Sequence, residues 1–122
     1  MESAPRKLAR LKRSGDFRRV REQGESFTGR WLVLGVWRPT DPDFVETHQS
    51  QFGVVTSRKV GGAVVRNKVR RRIRHIQQSQ FPLVSGVFWC VTVARFRAAS
   101  ATFAELEAEW RKLAKRAGVL PA

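Results

Sequence analysis

The sequence predicts an α+β fold: a compact sandwich of a small, about four-stranded mixed sheet with three helices, in the order α-β-β(-β)-α-β-α. Three observations carry this. Short runs rich in aromatic and β-branched residues, ended by Pro or Gly, alternate with segments of helical period. The longest helical segment lies between two such runs, and the chain closes on a capped amphipathic helix. At 122 residues there is material for one modest core.

Residues 1–13 are polar and basic around Leu8 and Leu11, which predicts an irregular arm docked by those two leucines. The domain proper is expected over 14–118, with 119–122 as a tail. Ser14 is placed to cap a first helix, with Asp16 in the first turn, Phe17 and Val20 on one face, and Gly24 to stop it. SFTGRWLVLGVW, ending at Trp37, reads as extended chain. In it Trp31, Val33, Gly35 and Trp37 point one way and Leu32, Leu34 and Val36 the other. The stretch 39–50 reads as loop from its Pro, Asp and Ser content, and 52–57 as the next strand.

Gly61 and Gly62 break that strand. From Ala63 to about Ser79 the pattern turns helical, with Val65, Val69, Ile73 and Ile76 in one narrow arc. Pro82 forces an exit, and Gly86 opens a strand running to about Arg95. In the last helix Thr102 and Glu105 have capping-box spacing, Phe103, Leu106, Trp110 and Leu113 form the apolar stripe, and Gly118 ends it. The helices are expected to cover one face of the sheet.

Charge narrows the function. The chain has 24 Lys and Arg against 10 Asp and Glu, a net charge of +14, and no acid lies between Glu46 and Glu105. So one-signed a field attracts polyanions, a nucleic acid or an anionic membrane before an acidic protein. The apolar runs are far shorter than the ~18–20 residues of a membrane span, and no secretory leader is recognisable, so the chain reads as soluble and cytoplasmic. A lone cysteine, Cys90, inside the apolar run Val87–Val91, reads as a buried structural thiol in a reducing compartment.

VVRNKVRRRIRH, Val64 to His75, concentrates the charge: six Lys or Arg and one His in twelve residues. On a helix Arg66, Arg70 and Arg74 form one row beside the apolar arc, and Lys68, Arg71 and His75 a second row beyond it. Asn67 lies between the rows, and Arg72 sits close to the apolar edge, its guanidinium free to reach outward. A solvated helix face normally mixes signs. Here the 66/70, 70/74, 68/72 and 71/75 pairs are all cationic or potentially so, each costing ~0.2–0.5 kcal/mol. Phosphates compensate such a row, and the five-to-one choice of Arg over Lys suits bidentate contact with them. Membrane insertion fits less well, because the arc offers only Val and Ile. Charge alone does not separate DNA from RNA.

The stretch from Ser57 to Arg74, SRKVGGAVVRNKVRRRIR, resembles the signature of the protein subunit of bacterial ribonuclease P. Arg10-Leu11 followed by Asp16-Phe17, Val20 and Gly24 resembles that family's opening, and Ala94-Arg95 matches the end of its last long strand. The resemblance implies an accessory subunit that binds a catalytic RNA and promotes removal of the 5′ leader from precursor tRNA. It implies that Arg66, Asn67, Lys68, Arg70, Arg71 and Arg74 face that RNA. Phe17 and Arg21 would line a leader cleft, with Arg58, Lys59 and Arg95 at or near its rim. It further implies a left-handed crossover through the basic helix, against the usual rule. Magnesium would be held mainly by the RNA, with none bound by the protein alone, and no protein partner would be required. A non-enzymatic RNA-binding or ribosomal-type protein is the alternative, and a sequence-tolerant DNA binder a weaker third.

The match is not uniform. Family members often carry a second aromatic where Arg21 stands and a Tyr where Gly35 stands, so this cleft should rely more on charge unless Trp31 or Trp37 supplies a ring. Gly62 replaces the usual Asn, and Lys68 the central Arg of the RNA-facing triplet, which keeps the charge but loses the planar fork. Catalytic candidates within the chain are poor. His48 has no identifiable companion, His75 sits among arginines, and Cys90 has no activating neighbour. Asp41 and Asp43 could in principle hold a metal but read much better as a solvated turn, and no ligand cluster has zinc spacing. The protein alone is therefore not expected to be catalytic.

Overall fold

The computed structural model describes residues 8–47 and 49–122. The first seven residues of the basic arm, and His48, lie outside the described residues. The elements run β1 (Ala9–Arg10), α1 (Ser14–Gln23), β2 (Glu25–Thr28), β3 (Leu32–Trp37), α2 (Pro42–Thr47), β4 (Gln51–Thr56), α3 (Ala63–Gln80), β5 (Trp89–Ala94) and α4 (Phe103–Arg116). One mixed sheet has the order β1-β4-β5-β3-β2, with β1, β4 and β5 parallel and β3 and β2 antiparallel to their neighbours. The α+β expectation holds, with five strands rather than about four.

The higher strand count has two causes. SFTGRWLVLGVW is not one strand, because the chain reverses at Gly29–Trp31 and its halves pair as a hairpin. The reversal is held from α4: the Glu109 carboxylate accepts the backbone N–H groups of Arg30, Trp31 and Leu32 at 2.7–2.8 Å. The arm, expected to be irregular throughout, pairs along Ala9–Arg10 with Gln51–Phe52, and Leu11 N–H donates to Phe52 O. Its leucines dock as expected, since Leu8 and Leu11 are buried.

Alternation along β3 and β5 decides which helix goes where. Leu32, Leu34, Val36, Phe52 and Cys90 face α3 and α4, packing with Val69, Ile73, Ile76, Leu106 and Trp110. The other face carries Trp89 and Val91, which pack with Leu11, Phe17 and Val20. Helices therefore cover both faces, correcting the one-sided expectation; β5 is apolar on both sides and α1 buries its second side. Adjacent parallel β4 and β5 are joined by a crossover through α3.

Several local readings are adjusted. Val65 is 39% exposed, because the first turn of α3 contributes nothing to the core; its stripe begins at Val69 and continues to the buried Gln77. Gln77 Nε2 donates to Gly53 O at 3.0 Å and to Thr92 Oγ1 at 3.2 Å, and Trp110 Nε1 donates to the same hydroxyl at 2.9 Å. Ser14 is the first helical residue of α1, not its cap; Arg13 holds the cap position and its carbonyl accepts from Asp16 and Phe17. The 39–50 loop contains α2, because Asp41 Oδ1 accepts from Asp43 N–H and Pro42 starts the helix. At α4 the capping box of Thr102 and Glu105 is present. Gly118, at φ 78°, closes its end as a Schellman turn, with Val119 N–H on Ala114 O and Gly118 N–H on Lys115 O. Val119 and Leu120, expected in a tail, are buried in the core.

Candidate RNA interface

The interface is built on a row of two glycines. On the α1 side of the sheet, Gly35, Val91 and Gly53 lie abreast in β3, β5 and β4. Phe17 of α1 rests on Gly53, where a Cβ would come within 2.5 Å of its ring, and Val20 rests on Gly35 at 3.3 Å from the same construction. The missing side chains let the helix approach closely. The next row, Val33, Val93 and Val55, has no helix over it: Val55 is 37% exposed and the other two are half-buried. It forms an apolar floor.

Cations wall this floor. A cleft of about 590 Å³ opens between α1 and β4, lined by Lys12, Phe17, Arg18, Arg21, Val55 and Arg70 among others. It continues into a space of about 300 Å³ over Val33, Gly35, Val91 and Val93, sharing Phe17, Arg21 and Val55. Among the described residues no carboxylate lines either space.

Helix α3 contributes from the other side. Arg70 Nη2 donates to Thr56 Oγ1 at 2.6 Å and its Nη1 to Asn67 Oδ1 at 3.1 Å, so Asn67 and β4 together fix a guanidinium at the cleft wall. Arg74, one turn on, borders a small recess with Arg10, Phe17 and Gln77. Burial, and then the neighbouring Arg10 and Arg70, lower its pKa from the ordinary value. Three arginines crowded here repel one another, and an anion among them would relieve that repulsion.

Of the row Arg66, Arg70 and Arg74, Arg70 thus borders the cleft and Arg74 the recess beside it, and Asn67, Lys68 and Arg71 are exposed on the same helix. The sequence divided these residues into an RNA-facing helix and a separate cleft; in the structure Arg70 belongs to both. His75, on the far row, stacks edge-on against Phe103 of α4 at 5.5 Å. Arg72 does not reach outward, since its Nη1 donates to Ala101 O at 3.2 Å.

Phe17 and Arg21 line the cleft as expected. Arg58 and Lys59, exposed on the turn Arg58–Val60 whose Val60 is buried, and Arg95 follow the adjoining ends of β4 and β5, beyond the floor row. Arg95 Nη1 donates to Gly29 O at 2.7 Å. Neither tryptophan replaces a cleft ring. Trp31 packs against the main core and Trp37 against Trp89 at 4.9 Å, outside the cleft lining. Lys12, Arg18 and Thr56 were not foreseen. Arg18 had a signal: with Ser14, Phe17 and Arg21 it completes an i, i+3, i+4, i+7 face. Gly62 has φ −70° and open space around it, so its departure from Asn leaves the backbone unaffected.

Among the described residues, candidate nucleophiles are not brought together. Cys90 is fully buried, and burial pushes its thiol up to about 12. Among the described residues no three His, Cys, Asp or Glu side chains gather as a metal site. No helix among them is long and apolar enough to cross a membrane.

Fold and site define a strongly basic α+β protein with an arginine-rich helix and a cation-walled cleft, a type suited to binding nucleic acid. Residues 6–118 match the family model Ribonuclease P. The ribonuclease P protein component of Acidothermus cellulolyticus is 41% identical over 107 residues, 88% of this chain and 86% of that one. That of Chloroflexus aurantiacus is 37% identical over 118 residues, 96% of this chain and 83% of that one. Among solved structures, the Staphylococcus aureus RNase P protein superposes with a TM-score of 0.80 at 26% identity, covering 93% of this chain and 99% of that one. The Thermotoga maritima RNase P protein shares the fold, with a TM-score of 0.74 at 24% identity over 88% of this chain and 96% of that one. The chain belongs to the Ribonuclease P family, as the protein subunit of a ribonucleoprotein endoribonuclease in tRNA 5′ processing, partnered with the ribonuclease P RNA.

Proposed function

We propose that α3 holds the catalytic RNA while the cleft between α1 and β4 takes the single-stranded 5′ leader of precursor tRNA. The observation that carries this is the uncovered Val33–Val93–Val55 row enclosed by Lys12, Arg18, Arg21 and Arg70. An apolar floor accepts base faces, and the cations on either side accept the phosphates between them. Arg66, Asn67, Lys68, Arg71 and Arg74 remain for the catalytic RNA. Duplex would not enter, since the floor lies between two elements. Hydrolysis is left to the RNA and its magnesium: among the described residues the cleft lining has no carboxylate and does not suit the cation. The setting is cytoplasmic, where precursor tRNA is made.

Reconstitution with the catalytic RNA and end-labelled precursor tests this. The protein alone should not cleave, and it should strongly stimulate cleavage by the RNA at low magnesium, more for precursors with a leader than for those almost without one. Robust cleavage without RNA, or no stimulation, would overturn the reading.

A further inference from the structure

Phe96 is the one exposed aromatic among the described residues, at 57% exposure. It sits where β5 ends, three residues beyond the floor residue Val93, on the order of 10 Å of extended chain. The ring does not hang on a loose loop. Ala98 N–H donates to Arg95 O at 2.9 Å, closing a tight turn with Phe96 and Arg97 at its tip. Arg95 N–H donates to Trp31 O and its guanidinium to Gly29 O, while Ala98 is fully buried, so the turn is pinned at both ends. An exposed aromatic ring carried on a pinned turn loses less freedom when something stacks on it than one on a loose loop.

The surroundings specify what would stack. The Arg97 guanidinium lies 5.2 Å from the ring centroid, and Arg95, Arg97, Arg58 and Lys59 are all exposed at this end of the sheet. No acid occurs from residue 47 to 104. A ring among cations with no carboxylate complements a ligand with a flat apolar part and an anionic part, which is a nucleotide. The floor itself is aliphatic, offering bases Val33, Val93 and Val55 but no aromatic surface besides Phe17.

We propose that Phe96 is a stacking platform for one unpaired leader base of precursor tRNA at the rim of the cleft, with Arg97 and Arg95 taking the phosphates on either side. This rests on the reading of the cleft given above. It moves the aromatic contact from the floor to the rim and makes Phe96 a positioning residue for the substrate.

The test uses holoenzyme reconstituted with the catalytic RNA, carrying wild-type protein, Phe96→Ala or Phe96→Trp. Binding is measured for a precursor with a long leader, one with a leader trimmed to a single nucleotide, and mature tRNA. Phe96→Ala should weaken the long-leader complex roughly tenfold, near the lower end of what one stacked base contributes, and leave the other two unchanged. Phe96→Trp should bind as wild type. With 2-aminopurine placed at successive leader positions, one position should be quenched in the wild-type complex and bright in Phe96→Ala. Equal losses for all three substrates would overturn the proposal by placing the ring against the catalytic RNA, and no loss would overturn it outright. If the wild-type holoenzyme itself ignores the leader, the cleft reading fails with it; a wild-type preference that Phe96→Ala retains overturns Phe96 alone.

Discussion

Gly53 and Phe17 are in contact through the space a side chain would fill: a Cβ on Gly53 would stand 2.5 Å from Phe17 Cε1 and 2.7 Å from Cζ. The ring can come this close to the sheet only because the strand carries no side chain there, and the ring in turn sets where α1 bounds the cleft. Gly53→Ala should therefore destabilise the fold by roughly 1–3 kcal/mol, as overpacking does. Gly62→Ala, at φ −70° with open space around it, should be neutral or stabilise by about 0.4–1 kcal/mol. Urea unfolding compares them. Equal midpoints for the two variants would mean that α1 yields freely and its position is not set by Gly53.

Arg70 is held by Thr56 and Asn67 at the cleft wall, so its guanidinium is pre-oriented toward whatever phosphate lies there. Arg70→Ala should weaken RNA binding and make its log–log salt dependence shallower by about 0.7–0.9, one phosphate contact. Asn67→Ala should weaken binding with the slope nearly unchanged, since it loosens the arginine without removing a charge. Titrations across salt concentrations measure both. An unchanged slope in Arg70→Ala would remove it from the phosphate contacts.

Thr92 interrupts an otherwise apolar strand because it answers two donors, Gln77 Nε2 and Trp110 Nε1, in a fully buried position. Thr92→Val keeps the shape and strands the indole N–H, while Gln77 keeps Gly53 O. A loss of about 1–3 kcal/mol is expected in denaturant unfolding, with leader preference in the holoenzyme unaffected. A stability within error of wild type would show that the two donors find other partners.

Much of this was legible because it is local. The capping box at Thr102, the stop at Gly24 and the alternation of Leu32, Leu34 and Val36 follow from backbone chemistry within a few residues. The cationic rows of α3 were legible for the same reason. What escaped depends on distant partners. Glu109 looks like one more exposed acid of α4 until the Gly29–Trp31 reversal is placed beside it, 77–79 residues away in sequence. Gln77 reads as a polar helix end until Gly53 and Thr92 surround it. Val65 fits the helical arc perfectly by spacing, but spacing does not say where the sheet stops. The place of Arg70 in the cleft wall likewise depends on Thr56 of β4, which no periodicity encodes.

Cys90 gives the chain a pH dependence of its own. It is completely buried in β5 on the α3 side, and its thiol is pushed up to about 12, against roughly 8.5 for an unfolded chain. Below the unfolded value both states keep the proton and the thiol contributes its full share of stability. Above it the unfolded chain releases the proton and the folded one does not, so stability falls with rising pH, by up to roughly 1.4 kcal/mol per pH unit, until the folded value is reached. Cys90→Ala lacks this group, at the expense of a small cavity, so the wild type's advantage over it should shrink steadily from about pH 8.5 upward. Other titrating groups affect both proteins alike and cancel in the difference. Paired unfolding measurements along this range check it, together with thiol labelling of the wild type, which should proceed only as fast as the chain opens. A difference that stays constant with pH, or rapid labelling of the native protein, would show that water reaches Cys90 in the folded state.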